Sequence, residues 1–271
     1  MVRQNRTPAR QEGAVAPQDP LAGFYDGLAA DYHLIYADWE ASVRRQGAAL
    51  DVLLADRLGA GPADVLDCSC GIGTQAIGLA LRGHRVVGSD LSAVAAARAR
   101  REAAARGAVL PAVAADMRRL PFARGRFDAV VCADNSLPHL LTAEDVRTAL
   151  GAMRRVLRPG GLLVVSTRPY DELRRTRPTG TPPQVVEAAG VRTTTFQRWH
   201  WHEDGEHYDL EMVQESSGPG GVRTEVRRAV YWALAREQLT GLVLGAGFTR
   251  PLWAEPAASG FFQPVLTAFA P

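Results

Sequence analysis

The chain has 271 residues, of which 46% are apolar and 22% charged, the composition of a folded globular protein with one sizeable core. Its 31 basic and 29 acidic residues give a formal net charge of +2 and are mixed along the chain, which argues against a nucleic-acid or membrane partner. Every basic side chain is arginine, so chemistry that needs a lysine amine is excluded. Three cysteines and no signal-peptide segment favour a reducing, cytoplasmic setting.

The first 60 residues predict a tail followed by helices. Residues 1–20 are rich in Pro, Arg and Gln without an apolar period, and we expect them to be disordered. From Phe24 to Leu58, apolar and aromatic residues recur at helical spacing, which predicts two helices. We assign residues 21–60 as an N-terminal helical lid on a single domain that spans 21–271.

Residues 61–170 alternate predicted strands and helices and form the expected cofactor-binding core. Strands are predicted at 65–70, 85–90, near 113, 127–133 and 162–168. Their continuous apolar runs indicate a parallel sheet covered on both faces. We therefore predict an α/β fold, a doubly wound, Rossmann-like sheet of seven strands that is mostly parallel, with the last strand antiparallel.

The pattern changes after residue 170. We expect a loop at 175–184, a hairpin around the turn at 203–206 and a strand at 222–234, so that residues 171–235 form an antiparallel insertion on the acceptor side. A helix at 236–248 and a strand near 261–269 close the chain, in a final segment of 236–271.

The segment VLDCSCGIGTQAIG (65–78) carries the strongest chemical signal. A strand ends in a turn with Gly71 and Gly73, and the next helix presents its N-terminal N–H groups to a ligand. The following strand ends in Asp90, placed to accept from two ribose hydroxyls. This predicts a nucleoside-type ligand. The glycines alone also fit a dinucleotide, since Ala76 completes that spacing.

Beyond residue 20 the sequence resembles the class I S-adenosylmethionine-dependent methyltransferases, and within them the glycine/sarcosine N-methyltransferase group. The matching pieces are FYDGLAADYHLIYADWE (24–40), NSLPHL (135–140), RPYDEL (168–173), FQRWHWHEDG (196–205) and SGFFQP (259–264). The resemblance implies S-adenosylmethionine as cofactor and S-adenosylhomocysteine as product.

The same resemblance implies roles on the cofactor side. Asp67, Gly71 and Gly73 would contact the methionine part, Asp90 the ribose and Leu91 the adenine face. Asp116 would accept from the adenine amino group beside Met117, since a carboxylate suits that N–H donor. The predicted cofactor-binding set is completed by Tyr32, Arg45, Cys70 and Asp134, with Arg45 a candidate for the cofactor carboxylate.

The acceptor side follows from sheet geometry, because ligands of open α/β sheets bind at the carboxyl ends of the strands. The predicted catalytic set is Tyr25, His33, Asn135, His139 and Arg168. The resemblance implies that Arg168 holds a substrate carboxylate; an ion pair with Asp171 or Glu172 is the alternative. Tyr25 and His33 are expected to cover the methyl group, His33 or His139 to accept a proton, and Tyr36 and Trp39 to form a buried stripe.

We therefore interpret the chain as an enzyme that methylates an amine nitrogen of a glycine-like compound or specialised metabolite. Three alternatives stay open: a C-methyltransferase for an indole carbon, a nicotinamide-dependent oxidoreductase and a cofactor-binding protein without turnover. The partner is a small-molecule acceptor, and the oligomeric state is open, a homodimer included. His200, His202 and His207 share one face of the hairpin, but no acid or cysteine accompanies them at matching spacing, and we predict no metal site.

Overall fold

The computed structural model describes residues 19–188 and 190–271. The predicted tail at 1–20 therefore lies outside the described residues except for its last two. Asp19 caps the first helix, α1 (Pro20–Leu28), by accepting from the backbone N–H of Leu21. Pro20 stands in the first turn, where its missing N–H is not needed.

Most of the chain after α1 alternates helices and strands, as the sequence predicts. The elements that follow α1 in the first two thirds are α2 (Trp39–Leu58), β1 (Asp64–Asp67), α3 (Thr74–Ala80), β2 (Arg85–Asp90), α4 (Ala93–Ala105), β3 (Ala112–Ala114), β4 (Phe127–Cys132), α5 (Ala143–Val156), β5 (Leu157–Ser166) and α6 (Tyr170–Thr176). Short 3-10 helices lie at Tyr32–Ile35, Met117–Arg119 and Leu137–His139.

The last third adds four strands of a second sheet and closes the first. Its elements are β6 (Gln184–Ala188), β7 (Val191–Trp201), β8 (His207–Gly218), β9 (Gly221–Trp232), α7 (Arg236–Gly245), β10 (Thr249–Ala254), α8 (Pro256–Ser259) and β11 (Val265–Phe269). The main sheet has the order β3-β2-β1-β4-β5-β11-β10, and β11 alone runs antiparallel to its neighbours. The predicted seven-stranded, doubly wound α/β fold is confirmed.

Alternate residues of the central strands pack into two separate cores, one on each face of the main sheet. Val65 and Val131 face the core with α2, α3 and α4, whereas Leu66 and Val130 face the core with α5 and α7. Because successive side chains of a strand point to opposite faces, a strand buried on both faces is apolar throughout. This is why the sequence shows continuous apolar runs there.

The second sheet, β6-β7-β8-β9, is antiparallel and buries one face. Trp199, Tyr208 and Leu210 on that face pack against Phe24 and Leu28 of α1. The sheet therefore fixes α1, and α1 in turn joins the second sheet to the main sheet.

Four α-helices and strands were not predicted: β6, α6, β10 and the single turn α8. β6 begins within a Pro-rich stretch that reads as loop, and α6 is only two turns long. β10 contains Pro251 and is an edge strand, paired only with β11, where a missing N–H is tolerated. Each is too short or too irregular for periodicity to reveal it.

A latch from α4 holds the carboxyl end of α1. The guanidinium of Arg98 donates to the carbonyl oxygens of Ala29 (2.6 Å) and Ala30 (2.7 Å), and the hydroxyl of Ser92 donates to Asp26. These carbonyls lie where a helix end leaves its acceptors without intrahelical partners. Arg98 thus both ends α1 and ties it to the main sheet.

The crossing of α2 and α3 depends on two glycines. A Cβ atom at Gly47 would lie 2.5 Å from the backbone of Gly78, and that backbone cannot move aside cheaply. We expect Gly47→Ala to lower the free energy of unfolding by about 1–3 kcal/mol, measured by urea denaturation. Gly151→Ala in α5 is the matched control, because nothing lies within 4 Å of its Cβ position; it should leave stability unchanged or raise it. Equal effects of the two changes would contradict close packing at this crossing.

Candidate functional site

A cavity of about 830 Å³ lies at the carboxyl ends of β1, β2, β3 and β4, at the edge where open α/β sheets bind ligands. The N-terminal segment covers it, and β9 closes one side. The wall brings together these predicted residues: Tyr25, Tyr32, Cys70, Gly71, Asp90, Leu91, Asp116, Met117, Asp134 and His139. The remaining predicted residues, His33, Arg45, Asp67, Gly73, Asn135 and Arg168, lie off this wall.

The turn after β1 forms part of the cavity wall. Gly71 has a φ of +51° and no heavy atom within 4 Å of its Cβ position, so its backbone faces open space. Its N–H donates to Oδ2 of Asp90 at 2.8 Å, and Oδ1 of Asp90 accepts from the N–H of Ser92 at 2.8 Å. Asp90 is thereby fixed at the wall with lone pairs left on both oxygens, which suits two hydroxyl donors of a ribose.

The next part of the wall contains Leu91, Asp116 and Met117. Arg118, which the sequence analysis missed, contacts both oxygens of Asp116 (2.7 Å to Oδ2) and Oδ1 of Asp145 (2.7 Å). The pairing with Asp145 joins positions 27 residues apart, so no local pattern signals it. Asp116 consequently offers a ligand only the acceptor capacity that Arg118 leaves.

Asp67 lies behind the wall at the end of β1 and is 1% exposed. Its Oδ1 accepts from the N–H of Ser69 at 3.3 Å, while Oδ2 has no hydrogen-bond partner. Burial raises the pKa of Asp67 to about 7. Gly73, which has a φ of +101° and caps α3, is also behind the wall. Neither residue touches the cavity, so any contact with a methionine group would be indirect.

Two tyrosines of the N-terminal segment hydrogen-bond to polar side chains of the wall. The hydroxyl of Tyr25 lies 2.6 Å from Nε2 of His139, and the hydroxyl of Tyr36 donates to Oδ2 of Asp134 at 2.9 Å. Burial, assisted by the charge of Arg168, lowers the pKa of His139 to about 3. His139 is therefore neutral near pH 7, and so low a pKa makes it a weak base, which does not favour the predicted role of proton acceptor. Tyr36, expected only in a buried stripe, lines the cavity as well.

His33 and Arg45 lie away from the cavity. The 3-10 helix Tyr32–Ile35 turns Tyr32 to the cavity and His33 away from it, toward α4, where Nδ1 accepts from Arg98 at 3.1 Å. Burial lowers the pKa of His33, and the charge of Arg98 lowers it further. Arg45 is exposed on α2 and donates to the hydroxyl of Ser42 at 3.3 Å. The 3-10 turn directs His33 away from the cavity, and Arg45 lies on the outer surface of α2. Neither orientation is visible in the sequence.

Arg168 and Asn135 form a layer behind the wall. Oδ1 of Asn135 accepts from the backbone N–H of Arg168 at 3.1 Å. The guanidinium of Arg168 donates to the hydroxyl of Tyr208 (2.8 Å) and to Oε1 of Gln197 (2.9 Å), and lies 4.6 Å from the ring centre of Trp199. The alternative ion pair with Asp171 or Glu172 is wrong. Sequence analysis missed Tyr208 and Gln197, because long-range pairing of β7 and β8 brings them to the end of β5.

Residues 19–188 and 190–271 contain neither a cluster of metal ligands nor a membrane-spanning helix. No three His, Cys, Asp or Glu side chains converge there as metal ligands. No described helix combines the length and the apolar character needed to cross a membrane.

Parts of the chain are similar in sequence to known proteins. Residues 65–161 match the family model of the methyltransferase domain. The glycine/sarcosine N-methyltransferase of Parasynechococcus marenigrum is 38% identical over 137 residues, 50% of this chain and 48% of that protein. The demethylmenaquinone methyltransferase of Beutenbergia cavernae is 38% identical over 160 residues, 57% of this chain and 61% of that protein. The chain spans about half the length of the curated relatives it matches.

Solved structures with the same fold cover nearly the whole chain. S-adenosylmethionine-bound CalS10 of Micromonospora echinaspora, an amino pentose methyltransferase, has a TM-score of 0.72 at 23% identity, over 89% of this chain and 95% of that one. KedS8, a sugar N-methyltransferase from a Streptoalloteichus species, has a TM-score of 0.70 at 22% identity, over 98% of both chains. At such identities the likeness shows the fold alone.

The raised pKa of Asp67 predicts a pH dependence of stability. The folded chain keeps a proton between pH 3.8 and about 7 that the unfolded chain has released. The stability from this group is thus fully present below pH 3.8 and is lost as pH rises toward 7, by at most about 1.4 kcal/mol per pH unit. Asp67→Asn removes the titration, so its stability relative to wild type should increase between about pH 5 and pH 8 in urea unfolding. The exposed Asp56→Asn is the control, and a pH-independent difference for Asp67→Asn would contradict the buried titration.

Proposed function

We propose that this chain, which carries a class I S-adenosylmethionine-dependent methyltransferase domain, transfers a methyl group to an amine nitrogen of a small molecule. The observation that carries the proposal is one cavity whose wall combines two kinds of residue. The turn at Gly71 and the carboxylate of Asp90 suit a nucleoside, and tyrosine hydroxyls with Asp134 offer polar partners to an acceptor.

The residues around Gly71 and Asp90 fit the cofactor. The open space beside Gly71 admits a ligand against the backbone, Asp90 accepts from ribose hydroxyls, and Leu91 and Met117 supply apolar cover for an aromatic ring. The cofactor, when bound, supplies a methyl group on a positively charged sulfur. The wall here needs no covalent catalyst, since its task is to hold and align.

The tyrosines and the carboxylate of Asp134 fit an amine. Tyr36 donates its hydroxyl proton to Asp134, and the hydroxyl of Tyr25 is hydrogen-bonded to Nε2 of His139, so the protein fixes the direction of both hydroxyls at the wall. Burial raises the pKa of both phenols well above the usual value, which keeps them protonated near pH 7. The carboxylate of Asp134 is a hydrogen-bond acceptor in this part of the wall and suits a ligand that carries N–H donors.

Alignment and exclusion of water are the main contributions of the chain to the rate. His139 is 9% exposed and lies against the ring of Tyr231 at 4.0 Å between ring centres, and it holds the hydroxyl of Tyr25 in one direction. The N-terminal segment and β9 close the cavity around the reacting atoms. An amine so held presents its nitrogen in a fixed direction.

An electron-rich indole carbon is the second candidate, because Tyr25, Tyr32 and Tyr36 offer three aromatic rings to the cavity. It requires no proton acceptor. The amine is favoured because the carboxylate of Asp134 stands among those rings and suits a cationic ligand better than a neutral one. Nicotinamide chemistry is not proposed, since the relatives named above are methyltransferases.

Methyl transfer is tested with methyl-labelled S-adenosylmethionine and a panel of glycine, sarcosine, ethanolamine, glucosamine and indole, with products identified by mass spectrometry. We expect a mass gain of one methyl group on at least one amine and none on indole. S-adenosylhomocysteine should bind in calorimetry, and Asp90→Ala should weaken it by about 1.5–3 kcal/mol, because two charge-assisted acceptors are lost.

Asp56→Ala, at an exposed position of α2, is the matched control for that binding experiment and should bind as wild type does. Binding without transfer to any compound of the panel would contradict the proposed reaction. An unchanged dissociation constant for Asp90→Ala would remove Asp90 from the ribose site.

Arg168→Lys tests whether the acceptor carries a carboxylate. The guanidinium lies behind the wall on Tyr208 and Gln197, so we expect the substitution to lower kcat/KM about equally for glycine and for ethanolamine, by loosening the second sheet. Arg174→Lys, whose residue pairs with Glu206 at the surface, controls for loss of a guanidinium elsewhere. A loss confined to glycine would instead place its carboxylate on Arg168, as the family resemblance implies.

A further inference from the structure

We propose that the carboxylate of Asp134 binds the ammonium group of the acceptor and takes its proton, so that the nitrogen lone pair becomes available beside the methyl donor. The inference rests on the proposed function and goes beyond it by assigning the proton acceptor. The sequence predicts Asp134 among the cofactor-binding residues instead.

The backbone at Asp134 is strained in a way that fixes the side chain. Asp134 (φ +54°) and Asn135 (φ +64°) are consecutive non-glycine residues in the left-handed region. Three hydrogen bonds hold them there: Asp134 N–H to Ser166 Oγ at 2.8 Å, Asn135 N–H to Ser166 O at 3.2 Å, and Arg168 N–H to Asn135 Oδ1 at 3.1 Å. Strain kept by such bonds at a cavity wall is typical of a functional position.

The other acids of the wall already have partners. Backbone N–H groups occupy Asp90 and the start of α1 occupies Asp19, while the following acids pair with arginine or histidine: Asp116 and Asp145 with Arg118, Glu211 with Arg198 and Arg228, and Asp209 with His202. Asp134 is held only by the neutral hydroxyl of Tyr36. No described cation lies within ion-pair distance of it, so an ammonium ligand would supply the missing counter-charge.

The groups that face Asp134 make its carboxyl a stronger base than usual. Burial raises the pKa of Asp134, whereas the hydrogen bond from Tyr36 and the charge of Arg168 oppose that rise. The remaining titratable neighbours that interact with it are Tyr25 and Tyr32 of the N-terminal segment and Asp67 at the end of β1. His139 remains neutral and does not compete for the proton.

The proton and electron balance is simple. An N–H bond of the ammonium breaks, and its proton passes to a carboxylate oxygen of Asp134. The freed lone pair forms the N–C bond as the C–S bond of the methyl donor breaks, and the electron pair of that bond stays on sulfur. The methylated product is again an ammonium, so no oxidant or reductant is needed.

The decisive experiment compares wild type and Asp134→Asn in two measurements: S-adenosylhomocysteine binding by calorimetry, and the pH profile of kcat/KM for the amine that the panel identifies. We expect the dissociation constant to change less than about threefold and kcat/KM near pH 7 to fall about a hundredfold or more. The wild-type profile should be level between the pKa of Asp134 and that of the amine. The variant needs amine already neutral in solution, so its kcat/KM should rise about tenfold per pH unit over that range.

Two further variants complete the test. Tyr36→Phe removes the donor that favours the ionised carboxylate, so the acid limb of the profile should move to higher pH by about one unit. Asp56→Asn, at the surface of α2, should keep the wild-type profile.

A tenfold or greater loss of S-adenosylhomocysteine affinity in Asp134→Asn, with kcat unchanged at saturating cofactor, would overturn the inference and return Asp134 to the cofactor; so would an unmoved acid limb in Tyr36→Phe. In both cases wild type still methylates an amine, and the proposed function stands. Absence of transfer to every amine by wild type overturns the proposed function and the inference together.

Discussion

The hydroxyl and carbonyl of Ser166 hold the site together. The hydroxyl accepts from the backbone of Asp134 and donates to Gln263 at 2.9 Å, and the carbonyl accepts from the backbone of Asn135. Ser166 is 1% exposed, so water does not reach its polar atoms, and these hydrogen bonds supply the partners that those atoms need. Ser166, at the end of β5, thus sets the direction in which the chain leaves β4. It also ties the ends of β4 and β5 to the segment before β11.

Neutral partners organise the polar part of the cavity. The hydroxyl of Tyr25 is hydrogen-bonded to a histidine that stays uncharged, and the guanidinium of Arg168 lies one layer back, on a phenol and an amide. Direct ion pairing of Arg168 with Asp134 would cancel both charges. Because the arginine is kept behind the wall, the carboxylate keeps its charge at the wall for a ligand.

Local sequence predicted what local structure determines. The strand, glycine turn and acid of residues 65–90 lie close together along the chain; residues 65–161 match the methyltransferase domain, and the predicted seven-stranded sheet is confirmed. The sequence does not show side-chain positions that depend on distant elements: His33 lies toward α4, and Arg168 meets the second sheet. The role of each site residue, and the division of residues 21–271 into segments, stay predictions.

The latch of Arg98 on the end of α1 bears on how ligands exchange. α1 and the turn after it form part of the cavity wall through Tyr25 and Tyr32, so the same short segment is wall and cover. Its attachment to the rest of the chain combines the hydrogen bonds from Arg98 and Ser92 with burial of Ala29 in the core of α2, α3 and α4 and the bond of Tyr36 to Asp134, whereas its other face packs on the second sheet. Opening of the cavity along this segment would require these contacts to separate together, so ligand access is tied to the packing of both sheets.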